Sequence, residues 1–567
     1  MTNNMKHIQF NNVSYEQWRE EAVKALKGKP FETLFTPTTD GVTLKPLYTQ
    51  EIVIEKLGEQ LEKQISTIRS LKATKDFSCA QQIFGDTEEQ FFKSIEDSLE
   101  RGNQILTIDS RVSFYWNETN ISRLASILEK NPFKLIVQNT NDDILKVFEQ
   151  IEHSLREQVS GYILSKEPIT INNYPNVRTL AANTLPYHYE GANVIQELAL
   201  SLALAAKFAN NENNFAEFIN KFYVNFAVDT QFFSEIAKLR AFKILWKAFS
   251  KAYNAESNIA VPIVAETSLR SFSKFDEYVN LLRAGNEALS ALIGGADVFT
   301  VHPHDVLVKP TEKSIRIARN VILVLKEESY AASVFDPSGG SYFIEYLTAE
   351  YVEKSWSLFL EIEDAGGIDA FAESGNLQTI LEEVRTARLK SIETRKHSLI
   401  GTNIYANPED DFKAETNPLF VDVKRLSTPF EELRIRYKNL QPKISILTYG
   451  KLKNFKPRAD FVSGFFATVG IVVNKSGEID SIADLLTWIN DTDSQYIVLV
   501  ATDEDTKIIL PSILENKRKD LIIDVAGKFK EEEKEWVEKG LNGFIFAGQN
   551  LVEKLNVIAE RLKGEQQ

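Results

Sequence analysis

Residues 260–305 read AVPIVAETSLRSFSKFDEYVNLLRAGNEALSALIGGADVFTVHPHD. Two short apolar runs, AVPIVAETS and DVFTVHPHD, each end in polar residues. Between them, FDEYVNLLRAGNEALSALIGG repeats its apolar positions with a helical period. Two parallel strands joined by a crossover helix account for this order. Working outward, the same rhythm recurs. ILTIDS (105–110), FKLIVQN (133–139), GYILSK (161–166) and VRTLAANT (177–184) read as strands. DTEEQFFKSIEDSLERG (86–102) and DILKVFEQIEHSLREQ (143–158) read as helices. Residues 51–360 are long enough for a (β/α)8 TIM-type barrel, which takes about 250 residues. An α/β chain with a barrel as its larger part is the expectation.

Three other regions frame the barrel. Residues 1–50 read as an arm. Its helix is SYEQWREEAVKALKGK, with Ser14 as N-cap, and Asp40-Gly41 then forms a turn between two strand-like runs. Residues 361–435 begin helix-rich and end in NIYANPEDDFKAETNPLF, an acidic stretch without periodicity, expected to be a linker on a domain surface. From residue 436 to 567 strands and helices alternate again, including YIVLVATDED, LIIDVAG and GFIFAGQ. About five strands with intervening helices predict a flavodoxin-like, doubly wound domain.

Composition excludes several classes. The chain has 567 residues, 43% hydrophobic and 11% aromatic, enough to build large cores rather than a disordered chain. Its formal charge of −15 argues against binding a nucleic-acid backbone. One cysteine, Cys79, permits no internal disulfide and no thiolate zinc site. The opening residues MTNNMKHIQFNNVSYEQW lack a signal-peptide core, and no run of about 18 apolar residues offers a membrane span. A cytoplasmic protein without membrane contact is expected.

Barrels place chemistry at the C-terminal ends of their strands. His302, His304 and Asp305 follow the run DVFTV and so qualify by position. A His-x-His there suits a divalent metal, as in hydrolase barrels, but no further ligands stand at other strand ends, so no metal is expected. Tyr187 and His188 stand before the apolar stripe Ile195, Leu198, Ala199, Leu202, Ala205 and Ala206, in a loop at the barrel mouth. A phenol beside an imidazole can polarise a carbonyl; ordinary packing is the competing reading. The tail has neither GxGxxG nor GxxxxGK[ST], hence no phosphate cradle of those types.

Several blocks, in order along the chain, resemble the coenzyme-B12-dependent methylmalonyl-CoA mutases. TTDGVTLKPLYT (38–49) is similar to that family's N-terminal T-x-E-G-I-x-x-K-P-L-Y-T, and AKLRAFKILW (237–246) to its K-x-R-A-A-R-x-x-W. The stretch AETSLRSFSKFDEYVNLLRAGNEALSALIGG resembles the family's long block ending in G-G. DPSGGSYFIEYLT (336–348) is similar to D-P-x-x-G-S-Y-x-x-E-x-L-T, and RKHSLIGTNIY (395–405) to R-x-x-x-I-G-V-N-x-Y. Tyr187 and His188 match the last two positions of S-G-Y-H.

The departures shape what the resemblance implies. Catalytic members carry Asp-x-His-x-x-Gly after the first strand of the cobalamin domain, the His being the lower cobalt ligand. Here Leu452, Asn454 and Pro457 stand in those places. The T-I-Q-N-D and R-N-T-Y substrate blocks are not recognisable, and FSCAQQIFGD (77–86) lacks the R-G-x-Y that should follow it. The resemblance therefore implies a small, non-catalytic subunit of a heterodimeric enzyme, with a degenerate cobalamin-type domain that binds no cofactor. A large catalytic partner would hold adenosylcobalamin and interconvert succinyl-CoA and methylmalonyl-CoA. Tyr187 and His188 would be vestigial. Two alternatives remain: an active acyl-CoA mutase subunit using another chain's cobalamin domain, and a metal-dependent hydrolase barrel using His302 and His304.

Overall fold

In the computed structural model, which describes residues 13–72, 77–255, 258–410 and 413–564, the chain begins with the expected arm helix, Tyr15–Ala25. Most of the opening stretch read for a leader lies outside the described residues. Ser14 caps the helix in a reciprocal box with Gln17, satisfying two of the orphan groups at its start. No residue of this helix is buried. Trp18 nevertheless has local company: its ring lies 5.4 Å from Tyr15 and 6.1 Å from Phe31. The Asp40-Gly41 turn follows, between β1 (Thr36–Pro37) and β2 (Thr43–Leu44), which pair antiparallel. This hairpin is tied to the barrel. Asp40 accepts from Tyr351 Oη at 2.8 Å and from Val194 N at 3.2 Å, and Val42 is buried in the main core.

The barrel strands are β3 (Ser78–Gln82), β4 (Ile105–Asp109), β5 (Phe133–Ile136), β6 (Ser160–Leu164), β7 (Asn176–Arg178), β8 (Leu180–Asn183), β9 (Phe222–Val228), β10 (Ile263–Thr267) and β11 (Val298–Thr300). All pair in parallel, and β11 returns to β3. The segments β7 and β8 are one stave broken at Thr179: β7 pairs with β6 and β8 with β9, so the nine segments make eight staves. Two local expectations fail. The helix foreseen over 143–158 breaks into short turns, with the α-helical part only Val147–Gln150. No helix lies between β6 and β7. A further helix, Tyr342–Asp364, packs outside the barrel on helices Val194–Asn211 and Phe232–Ala252. Arg240 anchors it through Glu345 at 2.6 Å and Asp336 at 3.0 Å, all three fully buried.

The C-terminal sheet comprises β12 (Ile444–Thr448), β13 (Asn474–Lys475), β14 (Tyr496–Val500), β15 (Ile522–Ala526) and β16 (Gly543–Ile545), all parallel, in the order β13-β12-β14-β15-β16. That is the flavodoxin-like order. Alternate residues of β14 serve two cores: Tyr496, Val498 and Val500 face one helical layer, Ile497 and Leu499 the other. Burial on both faces explains why IVLVA reads as a continuous apolar run. The fold is thus a TIM-type barrel followed by a flavodoxin-like domain.

Candidate functional site

A TIM barrel offers a ligand its mouth, above an interior packed with side chains. Here the axis is filled. Ala80, Ile105, Leu164, Ala181, Tyr223, Val264 and Val298, contributed by seven strands, form one internal cluster with Ile136 and Tyr162. The rings of Tyr162 and Tyr223 lie 5.0 Å apart, and the Tyr223 hydroxyl donates to the Ile163 carbonyl. Alternation along each strand puts Lys134 on the face of Ile136, and Glu266 on the face of Val264. Lys134 Nζ then reaches across the axis to Glu266 Oε2 at 2.8 Å and Asn225 Oδ1 at 3.1 Å. Glu266 Oε1 faces His302 Nε2 at 3.2 Å. Burial alone would raise the Glu266 pKa. Lys134 and the bond to His302 outweigh it and bring the group to about 2. The pair is therefore ionic, and it bridges opposite walls.

The mouth is covered by the chain's own connecting segment. Asn417 donates through its backbone to the Leu307 carbonyl at 2.9 Å and through Nδ2 to Val306 at 3.0 Å. Arg111, held by Asp109, donates to the Leu419 carbonyl at 3.2 Å. These bonds seat Phe420 with its ring 5.3 Å from that of His302, nearly edge-on. His302 and His304 do not converge. The first engages Glu266, while the second stacks on Tyr278 at 5.1 Å. Among the described residues, no group of three or more His, Cys, Asp or Glu is placed to hold a metal ion.

Tyr187 and His188 are not in a loop but in a short helix, Leu185–Glu190, directly after the C-terminal end of β8. Pro186 at its start and Gly191 at its end, with φ 123°, bound the turn, and the Gly191 backbone fits closely against Leu381 and Arg385. His188 is fully buried. Its Nδ1 meets Glu197 Oε1 at 2.7 Å and its Nε2 meets Ser268 Oγ at 2.7 Å. Burial, helped by Arg270, lowers its pKa to about 4, so the imidazole is neutral. It then donates from Nδ1 to the carboxylate and accepts the Ser268 hydroxyl. Glu197 also pairs with Lys238, itself bonded to Glu235 at 2.6 Å. The row Ser268–His188–Glu197 has the spacing of an activated nucleophile, but complete burial denies it a substrate. Tyr187 is half-buried beneath the connecting helices, with burial raising its phenol.

The C-terminal domain has its own ligand position by rule, the crevice beyond the strand ends where the order reverses, between β12 and β14. Here helix Leu452–Ala467 starts almost at once after β12, rather than leaving a free loop. Leu452, Asn454 and Pro457 all lie in its first two turns and all are exposed; Glu478 Oε1 caps the Leu452 N–H at 2.9 Å. Arg458 then crosses the strand ends, donating to the Ala501 carbonyl at 2.7 Å and pairing with Asp503 at 2.5 Å. An amide on a helical turn supplies no imidazole, and Leu452 nothing to orient one. These residues do not fit a lower cobalt ligand.

A barrel with a filled axis, followed by a flavodoxin-like domain with an occluded crevice, defines the class. The family model described as methylmalonyl-CoA mutase matches residues 137–436, more than half of the chain. The chain belongs to the methylmalonyl-CoA mutase family. It is 27% identical over 613 aligned positions to the methylmalonyl-CoA mutase small subunit of Porphyromonas gingivalis, covering 98% of both chains. To the small subunit from Propionibacterium freudenreichii subsp. shermanii it is 25% identical, covering 96% of this chain and 94% of that one. A methylmalonyl-CoA mutase of Cereibacter sphaeroides is 28% identical, with 70% and 65% covered. Among the described residues, no helix is long and apolar enough to cross a membrane.

Proposed function

We propose that this chain is the non-catalytic small subunit of a two-chain methylmalonyl-CoA mutase. It pairs with a large homologous subunit that carries adenosylcobalamin and interconverts succinyl-CoA and methylmalonyl-CoA, and it stabilises that partner. The observation that carries this reading is the cover that Asn417, Leu419 and Phe420 form over the barrel mouth. A mutase must hold an acyl-CoA thioester and exclude water around a reacting centre. This barrel instead closes its axis with side chains and its mouth with Phe420. The near-complete coverage of relatives named small subunits supports the same assignment. An active subunit borrowing a cobalamin domain would need the mouth open.

The arm and the connecting segment are the proposed wrapping elements. The arm helix has no buried residue and stands on a small aromatic cluster of its own. Because Asp40 and Val42 belong to the barrel core, the informative truncation removes residues 1–29 only. Co-expression with a large-subunit homologue should yield a 1:1 complex with turnover, the truncated chain a weaker complex around an intact barrel. Turnover of succinyl-CoA by this chain alone, supplied with adenosylcobalamin, would overturn the reading.

A further inference from the structure

Where the connecting segment meets the C-terminal domain there is a cleft of about 480 Å³. Small-molecule sites run from about 300 to 1,000 Å³. Its walls come from Arg395 and Lys396, from Phe461 and Phe465 on helix Leu452–Ala467, and from Phe546 with the turn through Gly548 that opens helix Leu551–Gly564. None of the wall residues comes from the ends of β12 or β14, so this is not the occluded crevice.

Its chemistry is two-sided. Three phenylalanine rings supply an apolar, aromatic lining. Cations supply the other part, in a chain whose overall charge is −15. Arg395 stands just past the C-cap Thr394 of helix Asn376–Glu393, at φ 57°, the left-handed turn with which helices commonly end. Its side chain is held in place: Nε donates to the Asn403 carbonyl at 2.7 Å and Nη2 to the Gly464 carbonyl at 2.9 Å. Nη1 has no protein partner among the described residues. The guanidinium lies 5.6 Å from the centre of Phe461. Burial lowers its pKa to about 10, which leaves it charged at neutral pH. Lys396 is exposed beside it, and Lys528 Nζ lies 4.8 Å from the centre of Phe546. The neighbouring carboxylate, Glu393, accepts from Asn550 Nδ2 at 2.9 Å. Gly548 leaves open space where a side chain would stand.

We propose that this cleft binds a planar aromatic ring bearing an anionic group, a phosphate ester or a carboxylate, with the ring among Phe461, Phe465 and Phe546 and the anion toward Arg395 and Lys396. Ring stacking is tolerant of ring identity, whereas the anion is held by charge. Calorimetric titration of the full chain with AMP, 1-naphthoate, adenosine and inorganic phosphate tests it. AMP or 1-naphthoate should bind with a Kd below ~1 mM. Adenosine and phosphate should each bind at least tenfold more weakly, because each lacks half of the recognised chemistry. Preference for AMP assigns a phosphate ester; preference for 1-naphthoate assigns a carboxylate. Lys396→Glu, an exposed change, should weaken the better ligand at least tenfold, and Phe461→Leu at least threefold with an unchanged melting profile. Failure of both anionic aromatics to bind, equal binding of AMP and adenosine, or indifference to Lys396→Glu would each overturn the proposal.

Discussion

The C-terminal end of the barrel and the crevice of the C-terminal domain are the two places where folds of these classes hold a ligand, and this chain closes them by different means. The axis is closed by buried charge: Lys134 and Glu266, less than a tenth exposed, face each other among tyrosines. The crevice is closed by exposed groups, the early start of helix Leu452–Ala467 and the half-exposed Arg458. Closure by buried charge is costly to undo, because removing one partner strands the other in a low-dielectric interior. Closure by solvated groups is cheap to undo. The barrel's closure should therefore be written into its stability, and the crevice's closure should not.

The largest effect should come from splitting the axial pair. Lys134→Met should cost about 3–5 kcal/mol, and the double variant Lys134→Met/Glu266→Gln should recover to within about 2 kcal/mol of the parent. Urea unfolding followed by a barrel-specific signal measures both. Equal losses in the single and double variants would mean that the charges do not depend on each other.

Next comes pH. Burial first, then Arg270, depresses His188 to about 4 against an ordinary 6.5. The unfolded chain then binds the extra proton throughout that interval. The stability contributed by the neutral imidazole is complete above pH 6.5 and is lost as pH falls through 4. The loss should be on the order of 3 kcal/mol. His188→Gln should flatten that part of the profile. Glu266, depressed to about 2, adds a further loss only below about pH 4.5.

These residues also show what could be read in advance. Apolar runs with helical or strand periods located most staves, and Ser14 and the Asp40-Gly41 turn stand as expected. Strand β3, SCAQQ, escaped because its polar residues serve the interior, and β9, FYVNFAV, lies between helices without a polar break. The helix over 143–158 looked continuous because spacing carries no information about the break at Ile151. The axial plug was legible only in part. A lysine inside FKLIV is anomalous for a strand buried on both faces, but its partner on a strand 132 residues away is a fact of closure. Phe420 and Arg458 gave no local signal, since both act on elements distant in the chain. Tyr187 and His188 were placed near the right strand end, but they stand on a helical turn rather than in a loop, and His188 is fully buried.

A smaller effect is expected at the mouth. Phe420 is half-buried, so Phe420→Ala should cost roughly 1–2 kcal/mol. It should also raise the reactivity of His302 toward diethyl pyrocarbonate, read by peptide mass spectrometry. Unchanged reactivity would show that the connecting segment is not the cover. The smallest effect belongs to the crevice. Asn454→His, on an exposed turn, should change stability by no more than about 0.5 kcal/mol. It should bind no corrinoid, because Leu452 and the helical backbone leave the imidazole unsupported.

The central claim, that this subunit serves a catalytic partner without holding the cofactor, is tested most directly by corrinoid absorbance on separated and reconstituted chains. The account predicts one equivalent of corrinoid per two-chain complex and none on this chain alone in excess adenosylcobalamin. One equivalent bound to the isolated chain would contradict it.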